Sequence, residues 1–316
     1  MNKSMNAESD NTLRSNSDEL RHLILGMRAA YARGENAMEY ARQMAGTIGN
    51  NSVVATLIAY DLQAGSYVAG VRENPEANSR WCAQLAEILD PLLTNGGTLL
   101  EVGCGEATTL AGVVQRLTNT PSHALGLDIS WSRCTEGQGW LAEKEVSARL
   151  FVADLFDIPL EDESVDVVYT SHSIEPNGGR EEDAIRELMR VARRAVVLVE
   201  PIYELANENA QSRMRSHGYV RGLKETAERL GAKVNDYRLL DHISNPLNPS
   251  GLILIEKSGV TQEGVAPAWL CPLTHTPMSD LGDVFVSESS GLVYPVLRGI
   301  PLLRAEHGVV ASKILG

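Results

Sequence analysis

The chain has 316 residues, 43% of them hydrophobic, and a formal net charge of −13. That length holds one large domain or a medium domain with a small one, and the apolar content supports a sizeable core rather than global disorder. The charge argues against nucleic acid as the main partner, because phosphate contacts need a basic surface. No apolar run approaches the roughly 18 residues of a membrane span.

Residues 1–17 are rich in Ser, Asn and charge, and their composition predicts a disordered tail. The polar start carries no targeting pattern, so a cytoplasmic protein is expected. Residues 18–94 read as a helical region. Leu20, Leu23, Ile24 and Met27 recur at helical spacing, a Gly-Glu-Asn break falls at 34–36, and a helix over 78–93 is expected to begin at Asn78 or Ser79.

From residue 95 the pattern alternates. Strands are predicted at 98–102, 123–128, 149–153, 165–170 and 195–199, with helices at 107–117, 131–145 and 180–193 between them. Such alternation implies parallel strands with right-handed crossovers. Helices near 202–213 and 220–230 then lead to strands at 234–240 and 251–256, which the short Asn/Pro loop between them makes an antiparallel hairpin. The fold class is therefore α/β: a doubly wound, mostly parallel seven-stranded sheet over 95–257. A linker follows at 258–266, then a small β-rich module at 267–316. Cys82, Cys104, Cys134 and Cys271 lie far apart with no Cys-x-x-Cys, so neither a disulfide framework nor a metal cage is suggested.

The chemistry concentrates in LLEVGCGEATTL, residues 99–110. Gly103 and Gly105 permit a sharp turn directly after a buried strand and leave room for a ligand against the main chain, and a helix starting near Ala107 would aim free N–H groups at it. A dinucleotide site of the GxGxxG type would need glycine at position 108, where Thr108 stands. The pattern present is instead Glu101-Val102-Gly103-Cys104-Gly105, followed by Asp128 at the end of the second predicted strand and Asp154 after the third. Taken singly, Asp128 reads equally as a helix N-cap and Asp154 as a turn carboxylate.

In this order and spacing the three motifs resemble those of the class I S-adenosylmethionine-dependent methyltransferases, over about 95–257. The resemblance implies S-adenosylmethionine as cofactor. Glu101, Gly103, Cys104 and Gly105 would line its methionine part, Asp128 with Ile129 its ribose, and Asp154 with Leu155 its adenine. Ala107 replaces a third glycine common in that family. A parallel core closed by an antiparallel hairpin also fits that family's sheet better than a six-stranded dinucleotide fold. The stretch TLIAYDLQAGSYVAG, residues 56–70, is similar to the family's lid and places Tyr60, Gln63 and Tyr67 over the cofactor, the tyrosines facing donor or acceptor; the other reading packs the two tyrosines on one helix face. Tyr31 and Arg33 form a second lid candidate against the acceptor.

Methyl transfer from a sulfonium is an in-line displacement, so alignment dominates and a base is needed only for an acceptor that must lose a proton. Candidates stand past the strand ends, where doubly wound folds bind ligands. His172 is the leading base, with Glu175 beside it, although a histidine shaping the acceptor wall fits the sequence equally. Glu200, Tyr203, His217, Tyr219 and Arg221 are candidate acceptor contacts. Glu175 and Glu200 also read as helix caps.

The last segment resembles a zinc-ribbon-like methyltransferase activator subunit through Cys271-Pro-Leu-Thr274 and Gly291-Leu-Val-Tyr294-Pro-Val-Leu-Arg-Gly299-Ile-Pro301. Its metal ligands are missing: Thr274 replaces a cysteine, and only Ser287, Ser289 and Ser290 follow. A metal-free module that covers the catalytic domain or mediates homodimerisation is expected. The favoured function is methylation of a small-molecule acceptor, a sugar or metabolite, at oxygen. A tRNA, rRNA or protein methyltransferase and a catalytically silent cofactor-binding regulator are the alternatives.

Overall fold

A computed structural model describes residues 5–44, 53–93, 96–243 and 245–314. The chain divides into two compact units, Met1–Ala64 and Gly65–Gly316.

In the first unit, α1 (Met5–Ala32), α2 (Ala37–Met44) and α3 (Val53–Leu62) bury Met27, Ala37, Ala41, Ala55 and Ala59 among themselves. Small residues at these positions let the helices approach closely. The Tyr40 ring lies directly over Gly26, where an added Cβ would fall 2.1 Å from the tyrosine oxygen. The break between α1 and α2 falls where the Gly-Glu-Asn turn predicts it. However, α1 begins at Met5, inside the segment whose composition predicts a tail without structure.

In the second unit, α4 (Ser66–Glu73) and α5 (Pro75–Leu89) precede the sheet. α5 starts earlier than its sequence periodicity indicates, because Asn74 caps it by accepting from Ala77 N–H at 3.2 Å and Pro75 occupies the first turn. Next come β1 (Thr98–Val102), α6 (Thr108–Val114), β2 (His123–Asp128), α7 (Trp131–Glu143), β3 (Arg149–Val152), β4 (Val165–Ser171), α8 (Glu181–Val191) and β5 (Ala192–Pro201). A 3₁₀ turn at Tyr203–Leu205 and α9 (Glu208–Ser216) replace the single helix expected near 202–213. Asn207 breaks that run by capping α9 through Ala210 N–H. α10 (Leu223–Arg229), β6 (Val234–Leu239) and β7 (Ser250–Glu256) complete the sheet, whose order is β3-β2-β1-β4-β5-β7-β6. β1 to β5 pair in parallel, and β7 runs antiparallel to both β5 and β6. β1 is buried along its whole length, as a strand covered on both faces must be.

At the amino ends of the strands, Asp166 holds three elements together. It accepts from Thr98 N–H at 2.8 Å and Thr98 Oγ1 at 3.1 Å, and pairs with Arg193 at 2.8 Å, both charged groups being almost fully buried. The opposite, carboxyl ends are thereby left to loops.

The remaining strands are β8 (Trp269–Leu270), β9 (Pro277–Asp280), β10 (Val284–Ser287), β11 (Leu292–Leu297), β12 (Ile300–Pro301) and β13 (Val309–Val310), which build a second, antiparallel sheet. It belongs to the same compact unit as the large sheet and shares its core: Cys271, Phe285, Tyr294 and Leu303 pack with Leu100, Phe151 and Val168. Leu303 N–H donates to Val152 O at 2.8 Å and Leu270 N–H to Pro159 O at 3.0 Å, so the added sheet is stitched to the edge and exit of β3. Where the resembling module carries metal ligands, hydroxyls join one another: Thr274 with Thr276 at 2.8 Å, and Thr276 with Ser287 at 2.6 Å. No group of three or more His, Cys, Asp or Glu suited to a metal occurs among the described residues.

Candidate active site

The loop after β1 is fixed by backbone bonds before any side chain contributes. Gly103 and Cys104 N–H both donate to Leu127 O at 2.8 Å, which ties the turn to the end of β2. Gly103 and Gly105 have φ of +74° and +54°, the left-handed region that glycine enters freely. The space a Cβ would take is filled by the protein itself. At Gly103 it lies 2.2 Å from Ser173 Cβ, and at Gly105 3.1 Å from the Tyr67 ring. The glycines therefore admit Ser173 and Tyr67 in the positions where the sequence suggests ligand space. Ala107 caps α6 at φ 52°, adopting the left-handed conformation without glycine's freedom. The Cys104 thiol lies against Gly126, where an added Cβ would fall 2.9 Å from the sulfur.

Asp128 is buried and accepts from Gly105 N–H and Ser130 N–H, each at 2.9 Å. The cap of α7 is Ser130, not Asp128. Burial raises the Asp128 pKa, while these N–H groups and Arg133 act against the rise. The carboxylate retains acceptor capacity for a ligand hydroxyl. Asp154 is partly exposed and accepts from Phe156 N–H at 3.0 Å, the turn role open to it in the sequence. Ile129 and Leu155 are half-buried beside these acids.

Glu101 differs from both. It is buried to 1% exposure, its Oε2 has no hydrogen-bond partner, and burial pushes its pKa up to about 8. The buried Tyr169 hydroxyl lies beside the carboxyl and acts against that rise without cancelling it. An unpaired buried carboxyl is costly unless a ligand supplies a donor. This orphaned atom, beside a turn fixed by main-chain bonds and an acid with spare acceptor capacity, fits a ligand carrying an ammonium and a diol.

Two residues escaped the sequence reading. Glu106 is fully buried and accepts from Gly65 N–H at 2.9 Å and Val68 N–H at 2.8 Å, capping α4 from the turn itself. It thus sets Tyr67, in the first turn of α4, against Gly105, with the Arg133 guanidinium 4.3 Å from the Tyr67 ring centre. Ser250 is the second. His172, at φ 58° beyond β4, places Nδ1 at 2.9 Å from Glu175 Oε2 and Nε2 at 2.7 Å from Ser250 Oγ. Burial opposes its charge, but the Glu175 carboxylate outweighs that and raises the His172 pKa. Asn248 also donates to Glu175, at 3.2 Å. No motif distinguishes Glu106 or Ser250 in the sequence, because both act through contacts distant along the chain.

Glu200 is engaged within the fold. It is fully buried and accepts from the N–H groups of Ser173, Ile174 and Glu175 at 3.1–3.2 Å, capping that turn. Burial lifts its pKa to about 7. The turn pairs with the loop after α9: Val220 N–H donates to Glu175 O and Gly178 N–H to Gly218 O. Tyr219 is thereby brought beside Glu175, and His217 stacks on Tyr219 with ring centres 5.5 Å apart. Tyr203 and Arg221 stand nearby, the guanidinium 5.8 Å from the ring.

Tyr31, Arg33 and Tyr60 belong to the N-terminal unit. There Arg33 spends its guanidinium on Glu35 through two bonds, at 2.8 and 2.7 Å. Tyr60 and Tyr67 lie on separate helices divided at Gly65, so they do not form one helix face.

Among solved structures, the chain is similar to a Haloferax volcanii complex between a methyltransferase activator and a methyltransferase (15% identity, 62% of this chain and 96% of that one, TM-score 0.48). It is also similar to a Synechocystis magnesium protoporphyrin IX methyltransferase (14% identity, 71% and 96%, TM-score 0.43) and to a sarcosine dimethylglycine methyltransferase from Galdieria sulphuraria (13% identity, 60% and 88%, TM-score 0.47). No curated protein matches the chain. Residues 99–195, from β1 into β5, match the model of a family described as a methyltransferase domain. That segment is a methyltransferase domain and makes the chain an enzyme of that class.

Proposed function

We propose that the enzyme methylates a hydroxyl of a small-molecule acceptor, with His172 taking the proton. The observation that carries this reading is the contact between the two halves of the site. Ser173, directly after His172, packs on Gly103 of the cofactor turn, so a base and the donor loop adjoin. In this reading Glu101 receives the donor's ammonium, Asp128 the ribose hydroxyls and Asp154 the adenine edge, while Tyr67 covers the loop. The bound cofactor supplies a methyl group on a positively charged sulfur, which needs no activation.

The chain's own work is then alignment and one proton transfer. Glu175 holds the Nδ1 proton of His172, which leaves the Nε2 lone pair toward Ser250. A hydroxyl donor at Ser250 occupies that lone pair in the resting site, and an acceptor hydroxyl replacing it would lose its proton to Nε2 as the methyl arrives. Glu200 fixes the turn that carries both residues. We read the C-terminal sheet as a built-in, metal-free counterpart of the activator module it resembles, covering the edge of β3 that leads to Asp154.

The test is transfer of labelled methyl from S-adenosylmethionine to a pool of hydroxylated metabolites. Label in alkali-stable ethers from the wild type and its loss in His172→Gln would support the reading. Equal labelling by both proteins would remove His172 as the base.

A further inference from the structure

Several arginines of this acidic chain hold a carboxylate: Arg149 pairs with Asp280, Arg180 with Asp183, Arg186 with Glu182 and Arg190 with Glu187. Three that cluster beyond β5 do not. Among the described residues, neither Arg213, Arg215 nor Arg221 has a carboxylate oxygen within 4.0 Å of its guanidinium. Arg215 donates to the Tyr203 hydroxyl at 2.5 Å, and both Arg215 and Arg221 lie 5.8 Å from the Tyr203 ring. Arg213 lies 5.8 Å from the Tyr219 ring, and its Nη1 is buried with no hydrogen-bond partner. The nearby acids are otherwise engaged: Glu181 accepts from Arg221 N–H, Glu204 from Gly222 N–H, and Glu175 holds His172.

We propose that Arg213, Arg215 and Arg221, gathered around Tyr203 and Tyr219, bind an oxyanion of the methyl acceptor, a carboxylate or a phosphate group. The inference rests on the methyl-transfer reading of the same site and names its substrate class. Two residues of this cluster stand in the last turn of α9, where positive charge complements the helix dipole. That preference explains charge at the helix end. It leaves the buried, unpartnered N–H of Arg213 unexplained, and it does not reach Arg221, which lies beyond the helix. Guanidinium groups with unused N–H donors match a planar carboxylate or a phosphate through paired hydrogen bonds. The cluster also sits where an acceptor would enter, since Tyr219 adjoins Glu175 and the loop 218–220 pairs with the turn after His172. An acid group anchored there would leave another part of the same molecule to face Nε2.

The experiment uses the full chain loaded with S-adenosylhomocysteine, whose binding is first measured by calorimetry. Thermal midpoints are then compared in inorganic phosphate, in acetate and in chloride at equal ionic strength. The inference predicts a midpoint raised by a few degrees in phosphate or acetate over chloride, at concentrations of about 50 mM. The anion that acts tells a phosphoester acceptor from a carboxylic acid. Arg221→Gln, at an exposed position with no side-chain bond, should reduce the rise, and Arg213→Gln with Arg221→Gln should abolish it. An Arg238→Gln control should keep it. No anion-specific rise, or the same rise in the double variant, overturns the inference. Failure to bind S-adenosylhomocysteine would instead count against the methyl-transfer reading.

Discussion

Replacing Glu101 with Gln tests whether a buried, unpaired carboxyl is held ready for the donor. Burial moves its pKa from 4.5 to about 8. The folded protein therefore keeps a proton that the unfolded chain releases above pH 4.5. Stability falls as pH rises from 4.5 through about 8 and then levels. Over the 2.5 units to pH 7, at 1.36 kcal/mol per unit, the loss is roughly 3 kcal/mol. Gln mimics the protonated acid, so Glu101→Gln should match the wild type at pH 5 and gain on it steadily toward pH 8, as urea unfolding would record. Donor binding should respond in the opposite sense. An ammonium beside Glu101 favours its ionised form, so binding at pH 7 should release close to one proton, about 0.9 if the bound pKa falls well below 7. Calorimetry in buffers of different ionisation enthalpy measures that number. Glu101→Gln should release no proton from this site and bind the donor at least tenfold more weakly. The reasoning is refuted if wild-type binding is proton-neutral, or if the variant binds as tightly as the wild type.

Three further outcomes are expected. Because the His172 pKa is raised, the neutral base accumulates only above the ordinary histidine range, so kcat/KM should climb with pH through a midpoint above 6.5, a limb absent in His172→Gln. A pH-independent wild-type rate would assign His172 to the acceptor wall. Tyr67→Ala should speed donor dissociation by about tenfold through loss of the ring over Gly105, with little change in urea midpoint because the side chain is half exposed; an unchanged dissociation rate would mean the ring covers nothing that binds. Asp166→Ala leaves Arg193 buried without its counter-charge and should cost about 3–5 kcal/mol in unfolding free energy, with donor affinity of the folded protein retained.

The alternation of strands and helices after residue 95 is plain in the sequence because parallel strands buried on both faces require largely apolar runs, as at residues 195–199 of β5. The cofactor turn is legible for a related reason: only glycine tolerates both its backbone angles and the close approach of Ser173 and Tyr67. What filled the space beside those glycines was not legible, since nothing in residues 103–105 names a partner 38 or 70 positions away along the chain. The turn that Glu200 caps is hidden for the same reason. A glutamate ending a strand reads as a ligand contact until the turn that it caps is visible. Tyr60 and Tyr67 have helical spacing, yet Gly65 ends that periodicity by entering the left-handed region at φ 93°. The C-terminal strands read in the sequence as a small β-rich segment, but their stitching to β3 depends on main-chain bonds that side-chain identity does not encode.

The central claim, that the turn after β1 and the acids on the neighbouring strand ends hold S-adenosylmethionine, is tested most directly by a crystal structure of the full chain with S-adenosylhomocysteine. The account predicts the amino group against Glu101, the ribose on Asp128, and the sulfur within reach of the space between Gly103 and His172. A ligand seated elsewhere, or a ribose that makes no contact with Asp128, would contradict it.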